Sequence, residues 1–320
     1  MPLDLDSLRA RARATAAPFS ELFPYEPRFL DVGGRAIHYV DEGPAQAATD
    51  PGTDPKTGPA AGTILCVHGN PTWSFYWRQM IEAFRPEARI VALDHLGMGL
   101  SDRVPGGVRL AEHIENLVAL IDELDLRDIT LVCHDWGGAI GFGAVLARRS
   151  RFKSFVVTNT SAFPSGDMPK RIALCRVPGA GRLAVQGGNA FARAALRMTT
   201  VIPLAPKVRQ GLIAPYGSWG RREQIWRFVE DIPMKPGHPS WPTLCDIGEG
   251  LDSLRGLPME IVWGMKDWCF TPAFKSGWQQ RFPEAGVSEL EGAGHYVNED
   301  APEEVIHAIR RVRSAVPAHL

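Results

Sequence analysis

The chain has 320 residues, which is enough for two domains or for one α/β domain with an inserted subdomain. With 45% hydrophobic and 22% charged residues and no apolar run longer than about ten residues, the composition excludes intrinsic disorder and a membrane-spanning helix. The 35 Lys and Arg residues nearly balance the 36 Asp and Glu residues, so the net charge of -1 provides no overall attraction to nucleic acid or to an anionic membrane, and a positive surface would have to be local.

The N-terminal segment is predicted to form a short helix or a frayed arm. It has no apolar stretch typical of a secretory signal, and Asp4 and Asp6 disagree with an Arg-rich transit peptide. The five cysteines are odd in number and lack CxxC or Cys/His spacing, which favours reduced thiols over a disulfide framework or a zinc site. We therefore expect a cytoplasmic protein. The cysteines are Cys66, Cys133, Cys175, Cys245 and Cys269.

The first predicted strand covers residues 35–41, where apolar and polar side chains alternate. Gly33 and Gly34 precede it and indicate a hairpin turn. Residues 43–62 consist almost entirely of Pro, Gly, Ala, Thr and Asp, with little to bury, and are predicted to form a flexible surface loop.

From Thr63 onward, buried strands alternate with helices, a pattern typical of a mostly parallel sheet with helices on both faces. The alternation stops near residue 160 and resumes after about residue 245, with amphipathic segments in between. We therefore predict a core domain made of residues 1–159 and 246–320 and an inserted helical cap at 160–245. The predicted strands are 63–67, 88–93, 129–133, 155–159, 258–264 and 286–290, and the clearest helices are 110–124 and 302–316.

A candidate nucleophile lies where the strand at 129–133 ends. Cys133 and Gly137 are small residues on either side of Asp135, and a helix follows at once. This is the strand-turn-helix arrangement of a nucleophile elbow, in which small neighbours let a strained turn project one side chain above the sheet. An ordinary helix N-cap is the structural alternative for the same aspartate.

Three further polar positions follow predicted strands. Asn70 lies in a His-Gly-Asn-Pro sequence after the strand at 63–67, Asp267 follows the strand at 258–264, and His295 lies on a glycine-bounded loop before the last helix. Each alone is also typical of a turn or structural residue. Together they indicate one site, because ligands of open α/β sheets bind at the carboxyl ends of the strands.

These motifs resemble those of the α/β-hydrolase superfamily and, within it, the haloalkane dehalogenase branch, from about residue 27 to 315. The resemblance is carried by HGNP at 68–71, DHLGMGLSD at 94–102 and HDWGG at 134–138. Residues 158–164, 214–219 and 227–233 are most similar to the third dehalogenase subfamily, which includes the β-lactone decarboxylases of bacterial long-chain olefin synthesis. The fold implied is an α/β-hydrolase core with a helical cap.

The resemblance also implies the roles of five residues. Asp135 matches the nucleophile, His295 the base, Asp267 the acid that orients it, and Asn70 with Trp136 the pair that holds the leaving group. It implies no metal and no cofactor. It further implies a small hydrophobic substrate and association with the β-lactone synthetase of the olefin pathway.

An aspartate nucleophile points to alkylating electrophiles. Carboxylate attack on a carbonyl gives a reactive anhydride, whereas attack on saturated carbon gives a stable ester, so carbon-halogen bonds, epoxides and strained lactones are suitable substrates. In a dehalogenase, His295 would activate the water that opens the ester. In a decarboxylase, Asp135 would open the four-membered lactone, and loss of carbon dioxide would leave an alkene and restore the carboxylate.

The leading hypothesis is a cis-β-lactone decarboxylase that forms a cis-alkene, and a haloalkane dehalogenase is the second. Epoxide hydrolases normally use two lid tyrosines, whereas Tyr216 is the only tyrosine between 160 and 245. Fluoroacetate dehalogenases carry Arg where this chain has Trp136. A non-catalytic binding protein is disfavoured because all three triad residues are present.

Asp94, His95 and Asp102 are predicted to be structural. Two groups of aromatic residues have two open interpretations each. A group of aromatic residues after HGNP is expected to line the pocket or fill the core, and a second group in the cap is expected to line a tunnel for alkyl chains or to pack between cap and core. The first group is Trp73, Phe75 and Trp77, and the second is Phe163, Phe191, Trp219 and Trp226.

Overall fold

The computed structural model describes residues 3–44, 62–165, 170–177 and 179–316, and these contain one eight-stranded sheet. The strand order is β1-β2-β4-β3-β5-β6-β7-β8. The pairs β1-β2 and β2-β4 are antiparallel, and all other pairs are parallel. The strands are β1 (Arg28–Val32), β2 (Arg35–Glu42), β3 (Thr63–Val67), β4 (Arg89–Leu93), β5 (Ile129–Asp135), β6 (Phe152–Thr160), β7 (Met259–Gly264) and β8 (Gly286–Leu290).

Strands β3 and β5 are buried at every position, because helices cover both faces of this sheet. The helices are α1 (Leu5–Ala16), α2 (Arg78–Phe84), α3 (Leu110–Glu123), α4 (Trp136–Ala147), α5 (Lys170–Cys175), α6 (Ala180–Gln186), α7 (Ala190–Met198), α8 (Pro206–Ile213), α9 (Glu223–Glu230), α10 (Trp241–Gly250), α11 (Pro272–Arg281), α12 (Val297–Asp300) and α13 (Pro302–Ser314). Helices α3, α4 and α11 form one group, and α2 packs with α13 in another. The predicted mostly parallel sheet with helices on both faces is confirmed.

Several predicted elements have shifted ends. The strand expected to end at 133 continues through Asp135, and the one expected from 155 begins at Phe152. The N-terminal helix forms, with Asp4 Oδ1 accepting a hydrogen bond from the Ser7 backbone nitrogen at 3.1 Å. The hairpin turn is at the predicted glycines, and it joins β2 to β1, a strand that was not predicted from the sequence.

Within the described residues between β6 and β7 there are six α-helices, α5 to α10, and α5 to α9 lie in the part of the chain predicted to be the cap. Helix α10 runs through the predicted boundary at 245 and packs against α4. The division into core and cap stays a prediction. Most of the loop predicted at 43–62 lies outside the described residues.

All five cysteines lie in the described residues and are free thiols; two of them are buried in the core, Cys66 and Cys133, and the other three are half-buried. The aromatic residues after HGNP also belong to the core, because Trp73, Phe75 and Trp77 are fully buried and none lines the cavity described below. None of the helices in the described ranges combines the length and apolarity needed to cross a bilayer.

Candidate active site

Asp135 stands at a sharp turn between β5 and α4. Its φ of 54° lies in the left-handed region, which is strained for any residue with a side chain. The turn is close to neighbouring backbone on two sides: a Cβ at Gly69 would overlap the Asp135 carboxylate, and a Cβ at Gly137 would overlap the Val67 carbonyl oxygen. Both glycines therefore make room for the turn; the elbow pattern predicted this for Gly137, whereas the role of Gly69 was not predicted.

The Asp135 carboxylate is held by two neighbours. Oδ1 accepts a hydrogen bond from the Asn70 backbone nitrogen at 2.6 Å, and Oδ2 lies 3.5 Å from His295 Nε2. Burial raises the pKa of the Asp135 carboxyl, but the hydrogen bond and charge of His295 outweigh burial and hold that pKa below its ordinary value. Asp135 is therefore a carboxylate at neutral pH.

His295 lies between two carboxylates. Its Nδ1 is 2.7 Å from Asp267 Oδ2, which fixes the ring so that Nε2 faces Asp135. Burial lowers the pKa of His295, but Asp267 and Asp135 together overcome this and raise it to about 10. The ring also stacks on Phe270, with centroids 5.7 Å apart and planes 10° apart. In the free protein His295 therefore carries a proton at neutral pH.

Asp267 is itself positioned by two donors. Its Oδ2 accepts from Asn159 Nδ2 at 2.9 Å, and its Oδ1 accepts from the Cys269 backbone nitrogen at 2.6 Å. Asn159 lies in β6 with a φ of 38°, and its amide also bonds both backbone groups of Gly264 at the end of β7. No role was predicted for Asn159 from the sequence. The signal that could have found Asn159 is its place as a polar residue at the carboxyl end of a strand, which is also the place of Asp135.

The two residues predicted to hold a leaving group also reach the site. Asn70 and Trp136 both line the cavity beside Asp135. Asn70 Nδ2 donates one hydrogen bond to the Ile225 carbonyl oxygen of α9 at 3.1 Å, which leaves its second N–H for another acceptor. The Trp136 ring packs on Phe228, with centroids 5.2 Å apart. The structure brings together all five predicted site residues, and their roles stay predictions.

The site opens into an apolar cavity of about 420 Å³, of the size usual for small-molecule sites. Its walls come from the segments that follow β3, β5, β6, β7 and β8 and from the helices α5, α6, α7, α9 and α10, with residues 232–234 between the last two. Of the cap aromatics with two open interpretations, Phe163 and Phe191 line the cavity, whereas Trp219 and Trp226 do not. Asp267 lies behind His295 and does not line the cavity.

Asp94 and His95 are structural, as predicted. Asp94 is fully buried and accepts hydrogen bonds from the backbone nitrogens of Ser74 at 2.6 Å and Leu100 at 2.8 Å. His95 Nε2 lies 2.8 Å from the His68 carbonyl oxygen, and burial lowers its pKa well below the ordinary value, so the ring is neutral. These contacts fix the loop after β4 against the loop after β3.

Asp102 is also structural. Its Oδ2 accepts a hydrogen bond from the Ala36 backbone nitrogen at 2.8 Å, at the start of β2. Among the described residues there is no group of three or more His, Cys, Asp or Glu side chains that could hold a metal ion.

The geometry is suited to nucleophilic attack on a neutral, apolar substrate. A carboxylate with a low pKa faces an apolar cavity, with an oriented imidazole on one side and uncharged N–H donors on the other. The Tyr216 hydroxyl is occupied elsewhere, because it donates to the Thr72 carbonyl oxygen at 3.0 Å and accepts from the Gly99 nitrogen at 3.2 Å. The one tyrosine of the predicted cap is therefore not available to protonate a substrate oxygen.

Comparison with known proteins matches residues 64–308 to the Alpha/beta hydrolase family. A cis-3-alkyl-4-alkyloxetan-2-one decarboxylase from Shewanella oneidensis is 35% identical over 297 residues, covering 90% of this chain and 88% of the relative. Haloalkane dehalogenase 2 from Mycobacterium tuberculosis is 32% identical over 299 residues, covering 91% and 96%. The crystal structure of a haloalkane dehalogenase from Agrobacterium tumefaciens superposes with a TM-score of 0.77 at 23% identity, covering 91% and 97% of the two chains, and shows a shared fold.

Proposed function

The chain belongs to the α/β hydrolase family, and we propose that it decarboxylates a cis-3-alkyl-4-alkyl-oxetan-2-one, a β-lactone, to a cis-alkene and carbon dioxide. The observation that carries this proposal is the Asp135 carboxylate at the base of an apolar cavity. The relative with 35% identity over 90% of this chain bears the name of that activity, which favours the lactone among possible alkylating substrates. Both named kinds of relative are enzymes.

In the proposed reaction, an Asp135 oxygen attacks the saturated, alkyl-bearing ring carbon that is bonded to the ring oxygen, and not the carbonyl carbon. The carbon–oxygen bond breaks, and the ring oxygen becomes part of a free carboxylate. The bond from that carboxylate to the neighbouring carbon then breaks, its electron pair forms the alkene, and the Asp135 ester leaves as a carboxylate. Backside attack followed by anti-elimination keeps the two alkyl groups on one side, so a cis-lactone gives a cis-alkene.

The surrounding residues suit this sequence. Neither step consumes a water molecule, so a protonated His295, with its pKa raised to about 10 after Asp267 and Asp135 overcome burial, is compatible with turnover. Asn70 and Trp136 carry neutral N–H donors, and we assign them to the ring oxygen as it gains charge. Asp267 keeps the His295 ring oriented.

Haloalkane dehalogenation is the second candidate, and the same donor pair favours it because uncharged N–H groups suit a halide. Here Asp135 would form an alkyl ester, and His295 would take a proton from the water that hydrolyses it. Ester formation removes the charge of Asp135, one of the two charges that raise the pKa of His295, so the imidazole loses its proton more readily at that stage.

Turnover of a dialkyl β-lactone and a bromoalkane panel by the purified protein separates the two reactions. We expect a cis-alkene and carbon dioxide from the lactone, and complete loss of both in Asp135→Ala. Asp128→Ala, an exposed aspartate outside the site, is the matched control and should retain the rate. Bromide release without any alkene would overturn the first proposal in favour of the second, and full activity in Asp135→Ala would overturn both.

Turnover in ¹⁸O-labelled water gives an independent readout. Hydrolysis of an alkyl ester at its carbonyl carbon leaves a labelled oxygen in Asp135, whereas the decarboxylation returns the original oxygens. Mass spectrometry of the peptide containing Asp135 should therefore show no label after lactone turnover. Association with a β-lactone synthetase stays a proposal.

A further inference from the structure

One stretch of the chain departs strongly from the overall charge balance. Residues 168–222 contain ten Lys and Arg residues and no Asp or Glu. Without these ten, the rest of the chain has 25 basic residues against 36 acidic ones. The ten are Lys170, Arg171, Arg176, Arg182, Arg193, Arg197, Lys207, Arg209, Arg221 and Arg222. The near-zero net charge therefore conceals a basic segment attached to an acidic remainder.

Part of this positive charge has no compensating carboxylate. Arg182 lies 3.6 Å from Glu223 and Lys207 lies 2.5 Å from Glu21. Arg193 and Arg197 are exposed, one turn apart on α7, and no carboxylate within the described ranges pairs with either of them. Positive surface charges that no carboxylate neutralises remain available to an anionic partner.

The same segment holds most of the exposed apolar side chains. Six of the eight exposed large hydrophobic residues among those described lie between 177 and 219, and Leu183 and Ile202 are 63% and 58% exposed. Monomeric proteins seldom concentrate exposed apolar residues without a function for them. The six are Val177, Leu183, Met198, Val201, Ile202 and Trp219.

The candidate active-site cavity reaches the surface among these residues. Four residues of α6 and α7 both line the cavity and are exposed, and two of them, Ala194 and Met198, share the outer face of α7 with Arg193 and Arg197. The four are Ala184, Ala190, Ala194 and Met198. A ligand that enters here passes directly beside the basic and apolar surface.

We propose that this surface, formed by the described parts of α6, α7 and residues 201–202, docks on an anionic lipid membrane. Basic side chains beside exposed apolar ones are the combination that binds the headgroup region of such membranes. The acidic remainder would be repelled, which orients the cap toward the lipid. The docking does not depend on the reaction, whereas uptake of a dialkyl substrate from the bilayer rests on the proposed function.

The test is flotation of the full-length protein with lipid vesicles in the absence of substrate. One set contains phosphatidylcholine only, and the other contains phosphatidylcholine mixed with phosphatidylglycerol. We expect binding to the second set that weakens as salt is raised, because the Debye length shortens. In Arg193→Glu/Arg197→Glu the affinity should fall by more than about tenfold, given the contribution of each basic residue near an anionic surface.

Two further variants keep the test specific. Arg28→Glu/Arg35→Glu reverses two exposed arginines outside the basic segment and should bind like the wild type. Leu183→Ser/Ile202→Ser should weaken binding while leaving its salt dependence in place, because it removes apolar insertion only. Melting temperatures of all variants should match that of the wild type, since each changed side chain is exposed.

Three outcomes would overturn the proposal. The first is no flotation with either vesicle set. The second is equal flotation with both sets, or equal loss in the Arg28→Glu/Arg35→Glu control. The third is an absence of vesicle binding together with tight binding of a purified acidic protein that Arg193→Glu/Arg197→Glu abolishes, which would assign the surface to a protein partner. None of these results depends on which substrate the site accepts.

Discussion

The orientation of His295 depends on a chain of hydrogen bonds that runs from His295 through Asp267 to Asn159. His295 is fixed by Asp267, and Asp267 is fixed in turn by the amide of Asn159. His134 Nε2, 2.9 Å from the His295 carbonyl oxygen, holds the backbone of the same loop. Asn159 touches no substrate and is therefore a positioning residue.

We predict that Asn159→Ala lowers kcat by about tenfold, the equivalent of one hydrogen bond to a charged group. Asp267 loses a donor at 2.9 Å and gains freedom to rotate, so the His295 ring is less well oriented. KM should stay unchanged, because Asn159 does not line the cavity. Steady-state kinetics with the accepted substrate provides the measurement.

Thr130→Val is the matched control for this variant. It removes a buried hydrogen bond to Ser154 of 2.9 Å, at the end of β5 opposite to Asp135. If Thr130→Val lowered kcat as much as Asn159→Ala, the effect would come from general destabilisation and the positioning role would be wrong.

The second prediction concerns stability and follows from the protonation of His295. With a folded pKa of about 10 against the ordinary 6.5, the folded state keeps a proton that the unfolded state loses in this interval. The contribution is complete below pH 6.5 and disappears as the pH rises through about 10. The difference in free energy of unfolding between the wild type and His295→Gln should therefore shrink over this range, measured by urea unfolding.

His134→Gln is the control, because burial lowers the pKa of His134 to about 3 and leaves the ring neutral throughout the same interval. The difference between wild type and His134→Gln should stay constant from pH 6.5 to 10. A difference for His295→Gln that grows with pH would contradict the ion pair with Asp135 and Asp267.

The sequence predicted the residues whose signal is local. Asp135 lies in a strand-turn-helix motif, and His295 and Asp267 follow strands in the order that a triad requires. Asn159 has no such motif. Its contact with Asp267 depends on the neighbouring positions of β6 and β7 and on its own left-handed backbone, neither of which can be inferred from one strand.

At the scale of elements, the turn between β5 and α4 is possible only because the adjoining positions lack side chains. We predict that Gly137→Ala lowers the free energy of unfolding by about 1–3 kcal/mol, the usual cost of overpacking. The new Cβ would overlap the Val67 carbonyl oxygen, and a backbone atom in a sheet cannot move away easily. Urea unfolding followed by circular dichroism measures the change.

Gly217→Ala provides the comparison. A Cβ at Gly217 meets no atom within 4 Å, and its φ is -69°, so alanine fits without strain. This variant should be as stable as the wild type. Equal losses for Gly137→Ala and Gly217→Ala would show that packing around the elbow is not the cause.

Element prediction succeeded for the buried strand β3 and for β8 at one edge of the sheet, and it failed for β1 at the other edge. The strands β3 and β8 have the predicted bounds, and β5 is longer because His134 and Asp135 are polar residues that a hydrophobic pattern excludes. Strand β1 was missed although it is no more exposed than β8, since no sequence pattern marked residues 28–32 as a strand. Its pairing with β2, and not its composition, makes it a strand.

At the scale of the whole molecule, many polar contacts join the segment between β6 and β7 to the rest of the chain, and one buried group of them centres on a single carboxylate. Asp231, at the end of α9, is 1% exposed and accepts hydrogen bonds from Arg109 Nη1 at 2.5 Å and from the Leu110 nitrogen at 2.9 Å. Arg109 and Leu110 are at the start of α3, which belongs to the predicted core. Ser240 donates to the same carboxylate at 2.7 Å.

We predict that Asp231→Ala loosens this attachment without unfolding the sheet. Loss of the carboxylate leaves a buried backbone N–H and a guanidinium without their acceptor, at about 1.5–3 kcal/mol for a bond to a charged group. Amide hydrogen exchange followed by mass spectrometry should therefore become at least about tenfold faster in α9 and unchanged in β5. Asp122→Ala, which breaks a half-exposed pair with Arg148, should leave both rates unchanged. Equal acceleration in α9 and β5 would mean that cap and core unfold as one unit, and that Asp231 stabilises the molecule as a whole.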